Sequence, residues 1–140
     1  MGKRRNGREL AFRLLFQTDV GKLPLDEVIT VSRAASEASD EVWQMAEALA
    51  RGAWGEHAAL DMIIVKYASG WTLERMANAD RNLLRLALHE IRHHDKVPRT
   101  VSINEAVELA KRYSTADSAK FINGILGSYL RDRDARTADA

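Results

Sequence analysis

The chain has no cysteine, only two prolines, few aromatic residues and no long apolar run. Each shortage removes a class of protein. Without cysteine there is no disulfide, no thiolate-bound zinc, no iron–sulfur cluster and no cysteine nucleophile. No stretch approaches the roughly 18 apolar residues of a membrane span, and the charged start lacks the apolar segment of a signal peptide. A soluble, cytoplasmic protein is the expectation. The eight glycines are scattered, so no glycine-rich phosphate loop is present. No Ser, His and Asp stand in a pattern that suggests a triad. What remains is ordinary globular material: 140 residues, 46% apolar and 29% charged. That is enough for one domain with its own core, in need of no metal or cofactor to fold.

With few prolines and few alternating β-branched runs, the spacing predicts helix throughout. Residues 8–20 form a first helix, with Leu10, Leu14 and Val20 on one stripe and Ala11, Leu15 and Phe16 widening it. Leu23-Pro24 ends it, and a weaker helix follows over about 25–37. Ser39 or Asp40 caps a third run through Trp54, which Gly55 bends before Leu60, Ile63, Ile64 and Tyr67 resume the period. Ser69-Gly70 reads as a midpoint hinge. A short turn near Leu73–Met76 leads to a helix over about 79–94, whose wide apolar face (Leu83, Leu84, Leu86, Ala87, Leu88, Ile91) predicts the most buried element. The last helices are expected over about 103–113 and 118–131, with Gly124 allowing close helix approach and the tail after Arg131 frayed. Of Trp43, Trp54 and Trp71, at least two are expected in the core.

Charge is segregated. The net charge is only +1, yet Lys3, Arg4, Arg5 and Arg8 fall in the first eight residues with no acid among them. Local clusters of this kind are the electrostatic footprint of nucleic-acid binding, although a solvated tail would look the same. A second cation stands beside an aromatic at Lys120-Phe121, where a base could stack on the ring while the ammonium meets phosphate. Asp117 cannot attract phosphate, and its expected role is to cap the last helix and so aim Lys120 and Phe121. Ser102 and Glu105 stand in the S-x-x-E spacing of a capping box. On that reading Asn104 and Glu105 are structural rather than part of a binding site.

His89-Glu90-Ile91-Arg92-His93 matches H-E-x-x-H on a predicted helix, where two histidines at i and i+4 could chelate zinc with the glutamate as general base. A zinc hydrolase also needs a third ligand and, usually, an edge strand for its substrate. No strand is expected here, and no third ligand among Asp95, His94 and Glu105 is marked. The pentapeptide also sits in the last turns of its helix, where His and Arg oppose the dipole favourably. A non-enzyme with no catalytic and no metal residues is the expectation.

Several blocks together resemble the NusB family of transcription antitermination factors: Arg8-Glu9 with its apolar helix, Asp80-Arg81-Asn82-Leu83-Leu84-Arg85-Leu86-Ala87, Pro98, Val101 through Lys111, and Lys120-Phe121-Ile122-Asn123-Gly124-Ile125-Leu126. The last two blocks are specific, whereas about 22–70 matches only in helical pattern and length. The resemblance implies an all-α fold of about seven helices, two three-helix subdomains in one domain, with halves at about 1–70 and 71–134. It also implies binding of boxA RNA, pairing with the small-subunit ribosomal protein NusE, and membership of the RNA polymerase antitermination complex on ribosomal RNA operons. Carried over by position, Lys3, Arg4, Arg5, Arg8, Asp117, Lys120 and Phe121 would meet RNA, and Phe16 and Asp80 would face NusE. Phe16 stands where a tyrosine is often found, and Asp80 is shorter than the glutamate of some members. The rival reading is an interaction scaffold or homodimer with the RNA face occluded.

Overall fold

Helix α5, Asn78–His93, organises the molecule because it is covered on every side. From Asn82 to Ile91 every residue is buried, including six apolar ones that line the shared core. The rest of the chain wraps it. In the computed structural model, which describes residues 2–139 and side chains through Arg136, the elements are α1 (Lys3–Gly21), α2 (Leu25–Ala34), α3 (Asp40–Gly55), α4 (His57–Tyr67), a single 3-10 turn (Leu73–Arg75), α5, α6 (Arg99–Tyr113) and α7 (Ala116–Asp139). Among the described residues there is no strand, and no helix is long and apolar enough to cross a membrane. Helices α1, α2 and α3 pack together on one side of α5, and α6 and α7 pair on the other, with α4 bridging α5 and α7. The all-helical expectation holds.

Polar residues inside α5 are each matched by a partner on a different element. Asn82, Arg85 and His89 follow one stripe at i, i+3 and i+7. Asp19 of α1 accepts from Asn82 Nδ2 at 2.9 Å and from Arg85 Nη1 at 3.1 Å, and Arg85 also holds Asp61 of α4 through Nε at 2.7 Å and Nη2 at 2.8 Å. Arg81 adds two bonds to Asp19. Burial alone would push the Asp19 carboxyl up, but hydrogen bonds from Asn82 and Arg81 and the charges of Arg85 and Arg81 outweigh it and hold it below its ordinary value. The stability from this cluster is therefore present above the ordinary carboxylate range and lost as pH falls through the depressed value. Paired this way, the stripe ties α1, α4 and the α3–α4 junction to α5 and leaves little of its buried charge unmatched.

Several boundaries differ from the expectation, each for a local reason. Helix α1 begins at Lys3 rather than residue 8, with Gly2 extended in front of it and ion pairs Lys3–Glu41 (2.6 Å) and Arg5–Glu105 (3.1 Å) fastening its first turn. Helix α6 starts at Arg99, directly after Pro98, because proline presets the turn before a helix. Ser102 is thereby inside the helix, and the capping box does not form. Its hydroxyl donates instead to Glu90 Oε1, and Glu105 accepts from Arg5. Helix α7 begins at Ala116, where Thr115 Oγ1 accepts from the Ser118 N–H at 3.0 Å, so Thr115 and not Asp117 is the cap. Its far end continues to Asp139 instead of fraying at Arg131: Arg133 donates to the Ile91 carbonyl at 2.9 Å, and Tyr67 donates to Asp132 at 2.7 Å. Ser39 caps α3, accepting from Val42, and Gly70 turns the chain at φ +79° as the hinge requires. Gly124 makes no close approach, since a Cβ there would meet nothing within 4 Å. Close approach occurs instead at Gly7, where a Cβ would fall 2.8 Å from Met45 Sδ, and at Gly52, where it would fall 2.3 Å from His89 Nε2.

Candidate nucleic-acid interface

The start of α7 and the loop before α5 meet at a pocket of about 330 Å³, lined by Trp71, Arg75, Asp80, Asp117, Ser118 and Phe121 among others. Phe121 and Trp71 meet edge to face, with ring centroids 5.8 Å apart and planes at 64°. Arg75 lies over the indole, 5.4 Å from its centroid. Trp71 is 46% exposed, so it is not the core anchor its residue type suggests. Trp43 is buried and Trp54 packs against the core, so two of the three tryptophans are where expected. Lys120 is exposed next to Phe121, and Asp117 is exposed one turn earlier on the same side of α7. The helix starts before Asp117, so its carboxylate lies in the first turn, where it complements the dipole without capping. Gly124, another turn along, leaves that side open. An open aromatic pair, two cations and an uncluttered helix face are the parts of a single-strand stacking surface.

The basic start divides. Lys3, Arg4 and Arg5 sit on the exposed first turn of α1. Three cations at a helix N-terminus oppose the dipole, which favours anions there; a phosphate at that end would satisfy both the N–H groups and the cations. Arg8 has a different fate. It is 5% exposed, and its Nε donates to both oxygens of buried Glu90 at 3.1 and 3.0 Å, with Glu105 3.8 Å from Nη1. The structure therefore sets Arg8 apart from the exposed cations of the first turn, with its charge paired inside the protein. Glu90 is likewise committed to Arg8 and Ser102, whereas His89 and His93 turn to Glu56, so the glutamate of the H-E-x-x-H match lies in a different cluster from its two histidines.

Phe16 and Asp80 do not share a surface. Phe16 lines a shallow apolar groove of about 240 Å³ with Phe12, Arg13, Gln17, Ala79 and Tyr113. Phe12 stacks obliquely between Phe16 and Tyr113, at 6.1 and 5.0 Å. Burial and a hydrogen bond to Glu9 push the Tyr113 phenol up, so it stays a neutral donor. Asp80 turns the other way, to the Trp71–Phe121 pocket, where it is buried and accepts from Ser118 Oγ at 2.8 Å. It fixes the start of α7 against the start of α5. Adjacent residues Ala79 and Asp80 thus separate two surfaces that meet at one helix end. Trp71, Arg75 and Tyr113 were missed by sequence reasoning; only the isolated Trp71 after the Gly70 turn, outside any apolar stripe, hinted at exposure.

A family model described as the NusB family matches residues 5–131 of this chain. The chain belongs to the NusB family. The Symbiobacterium thermophilum transcription antitermination protein NusB is 44% identical over 138 residues, covering 91% of this chain and 89% of that one. The Desulforamulus reducens protein of the same description is 40% identical, covering 94% and 92%. Among solved structures, T. maritima NusB superposes with a TM-score of 0.81 at 35% identity, covering 89% of this chain and 88% of that one. The antitermination factor NusB solved with NusE and double-stranded RNA shares the fold, with a TM-score of 0.84 at 24% identity and coverage of 94% and 98%.

Proposed function

We propose that this member of the NusB family binds single-stranded boxA-type RNA along the face running from the first turn of α1 to the Trp71–Phe121 pocket. It pairs with NusE through the Phe16 groove and, within the elongating polymerase complex, sustains transcription of ribosomal RNA operons. The observation that carries it is the pairing of exposed Trp71 with half-buried Phe121, flanked by Arg75 and Lys120. Single-stranded RNA is held by bases stacking on aromatic or guanidinium planes, while phosphate contacts position it. Trp71, Phe121 and Arg75 supply planes, and Lys3, Arg4, Arg5 and Lys120 supply charge. Asp117 at the rim is suited to accept from base amino groups rather than to meet phosphate. With about four phosphates met, log affinity falls with log salt with a slope near −3. A net charge of +1 makes the affinity for RNA alone modest, and a second surface from NusE raises it.

The deciding experiment is fluorescence-anisotropy titration of boxA-like and scrambled RNA, with and without NusE, at two salt concentrations. Preference for boxA, strengthened by NusE and weakened by Phe121→Ala, supports the reading. Equal, weak binding to both RNAs under every condition overturns it.

A further inference from the structure

His89 and His93 stand one turn apart near the end of α5, and both reach Glu56, the residue between α3 and α4. His89 Nδ1 lies 3.0 Å from Glu56 Oε1, and His93 Nε2 lies 2.8 Å from Glu56 Oε2. One ligand-type atom from each of the three residues falls within 4.8 Å of the other two. Tetrahedral ligands at about 2.1 Å from zinc are about 3.4 Å apart, so small side-chain adjustments would bring these atoms into coordination.

The arrangement is built into the backbone. Helix α3 passes so close to the His89 ring that a Cβ at Gly52 would lie 2.3 Å from Nε2 and 2.4 Å from Cε1. Glycine there lets the buried imidazole lie against α3 with its Nδ1 bonded to Glu56. His93 is half exposed, which leaves a solvent side for a further ligand such as water. The H-E-x-x-H match thus supplies two histidines after all, and the missing third ligand comes from another helix junction.

We propose that Glu56, His89 and His93 bind a zinc-class divalent ion and clip the α3–α4 junction to α5. Two imidazoles select zinc and its neighbours over magnesium or calcium, which prefer all-oxygen sites. The site is structural rather than hydrolytic, because Glu90 is held by Arg8 on another side of α5. Arg92 Nη1, 3.6 Å from Glu56 Oε2, is the cation an incoming metal must displace.

The test is calorimetric titration of the untagged, chelator-treated and desalted chain with zinc chloride near neutral pH, beside magnesium chloride. The expected result is one equivalent of zinc bound, a higher Tm with zinc and no change with magnesium. His93→Ala, at a half-exposed position that the fold tolerates, and Glu56→Gln each weaken zinc binding by about tenfold or more. His94→Ala keeps the parent affinity, since its ring touches His89 from outside the trio. Absent zinc binding means the three groups form only a hydrogen-bonded cluster and overturns the proposal. So does an affinity unchanged in His93→Ala, or one lost equally in His94→Ala.

Discussion

Arg4 and Arg8 stand one turn apart on the same helix, yet the first turn of α1 and the second behave as different materials. In the first turn the cations lie on the surface, at a helix end where their own charge is unfavourable. One turn later the guanidinium is sealed against Glu90, with Ser102 and Glu105 closing the cluster. Exposed charge is cheap to change in stability and influential in binding; sealed charge is the reverse. The contrast extends along α5, where Asn82 and Arg85 are locked inward while Trp71 and Phe121 at its beginning stay open.

Substitution at Arg8 probes this contrast hardest. Arg8→Met strands the Glu90 carboxylate in the interior and should cost about 3–5 kcal/mol in urea or thermal unfolding. Measured where the variant is still folded, its RNA affinity and salt slope should match the parent. A loss of RNA affinity with unchanged stability would reverse the assignment and put Arg8 on the binding face. Trp71→Ala comes next: stacking one base on an aromatic is worth about 1–3 kcal/mol, so anisotropy should show roughly a 5- to 150-fold weaker complex with little change in Tm. If Phe121→Ala weakens binding while Trp71→Ala does not, the pocket is not shared between the two rings.

Gly124→Ala sharpens the open side of α7. The added methyl meets nothing in the chain, so the helix should gain about 1 kcal/mol, while a strand of RNA lying on that side would be pushed away. A higher Tm with weaker RNA binding is expected; a higher Tm with full affinity would move RNA off this part of the helix. The smallest effect is at Arg4. Arg4→Ala should leave stability unchanged and make the salt slope shallower by about 0.7, the value of one phosphate on a single strand.

Much of the architecture was legible before the fold. Apolar spacing at i, i+3 and i+4 marks α3 and α5 directly, because burying a helix requires a stripe of that period. The breadth of the α5 stripe marks it as central for the same reason. Helix starts were less legible: α6 and α7 begin earlier than their polar signals suggest, since Ser102 and Asp117 look like caps but the chain uses Pro98 and Thr115. In the candidate interface, Lys120 and Phe121 were readable as a local pair. Trp71 was not, because an indole reads as core wherever the next helix is unknown.

The sequence by itself determined an all-helical chain with a broad-faced, buried central helix, a basic N-terminus and a cation–aromatic pair at the last helix, since each is a local pattern. Only the tertiary structure decided which arginine is spent, which tryptophan is open and where the histidines point. Those outcomes depend on partners far along the chain: Glu90 lies 82 positions from Arg8 and Glu56 lies 33 from His89. A side chain's charge or ring is set by its identity, but its availability is set by what the fold brings against it.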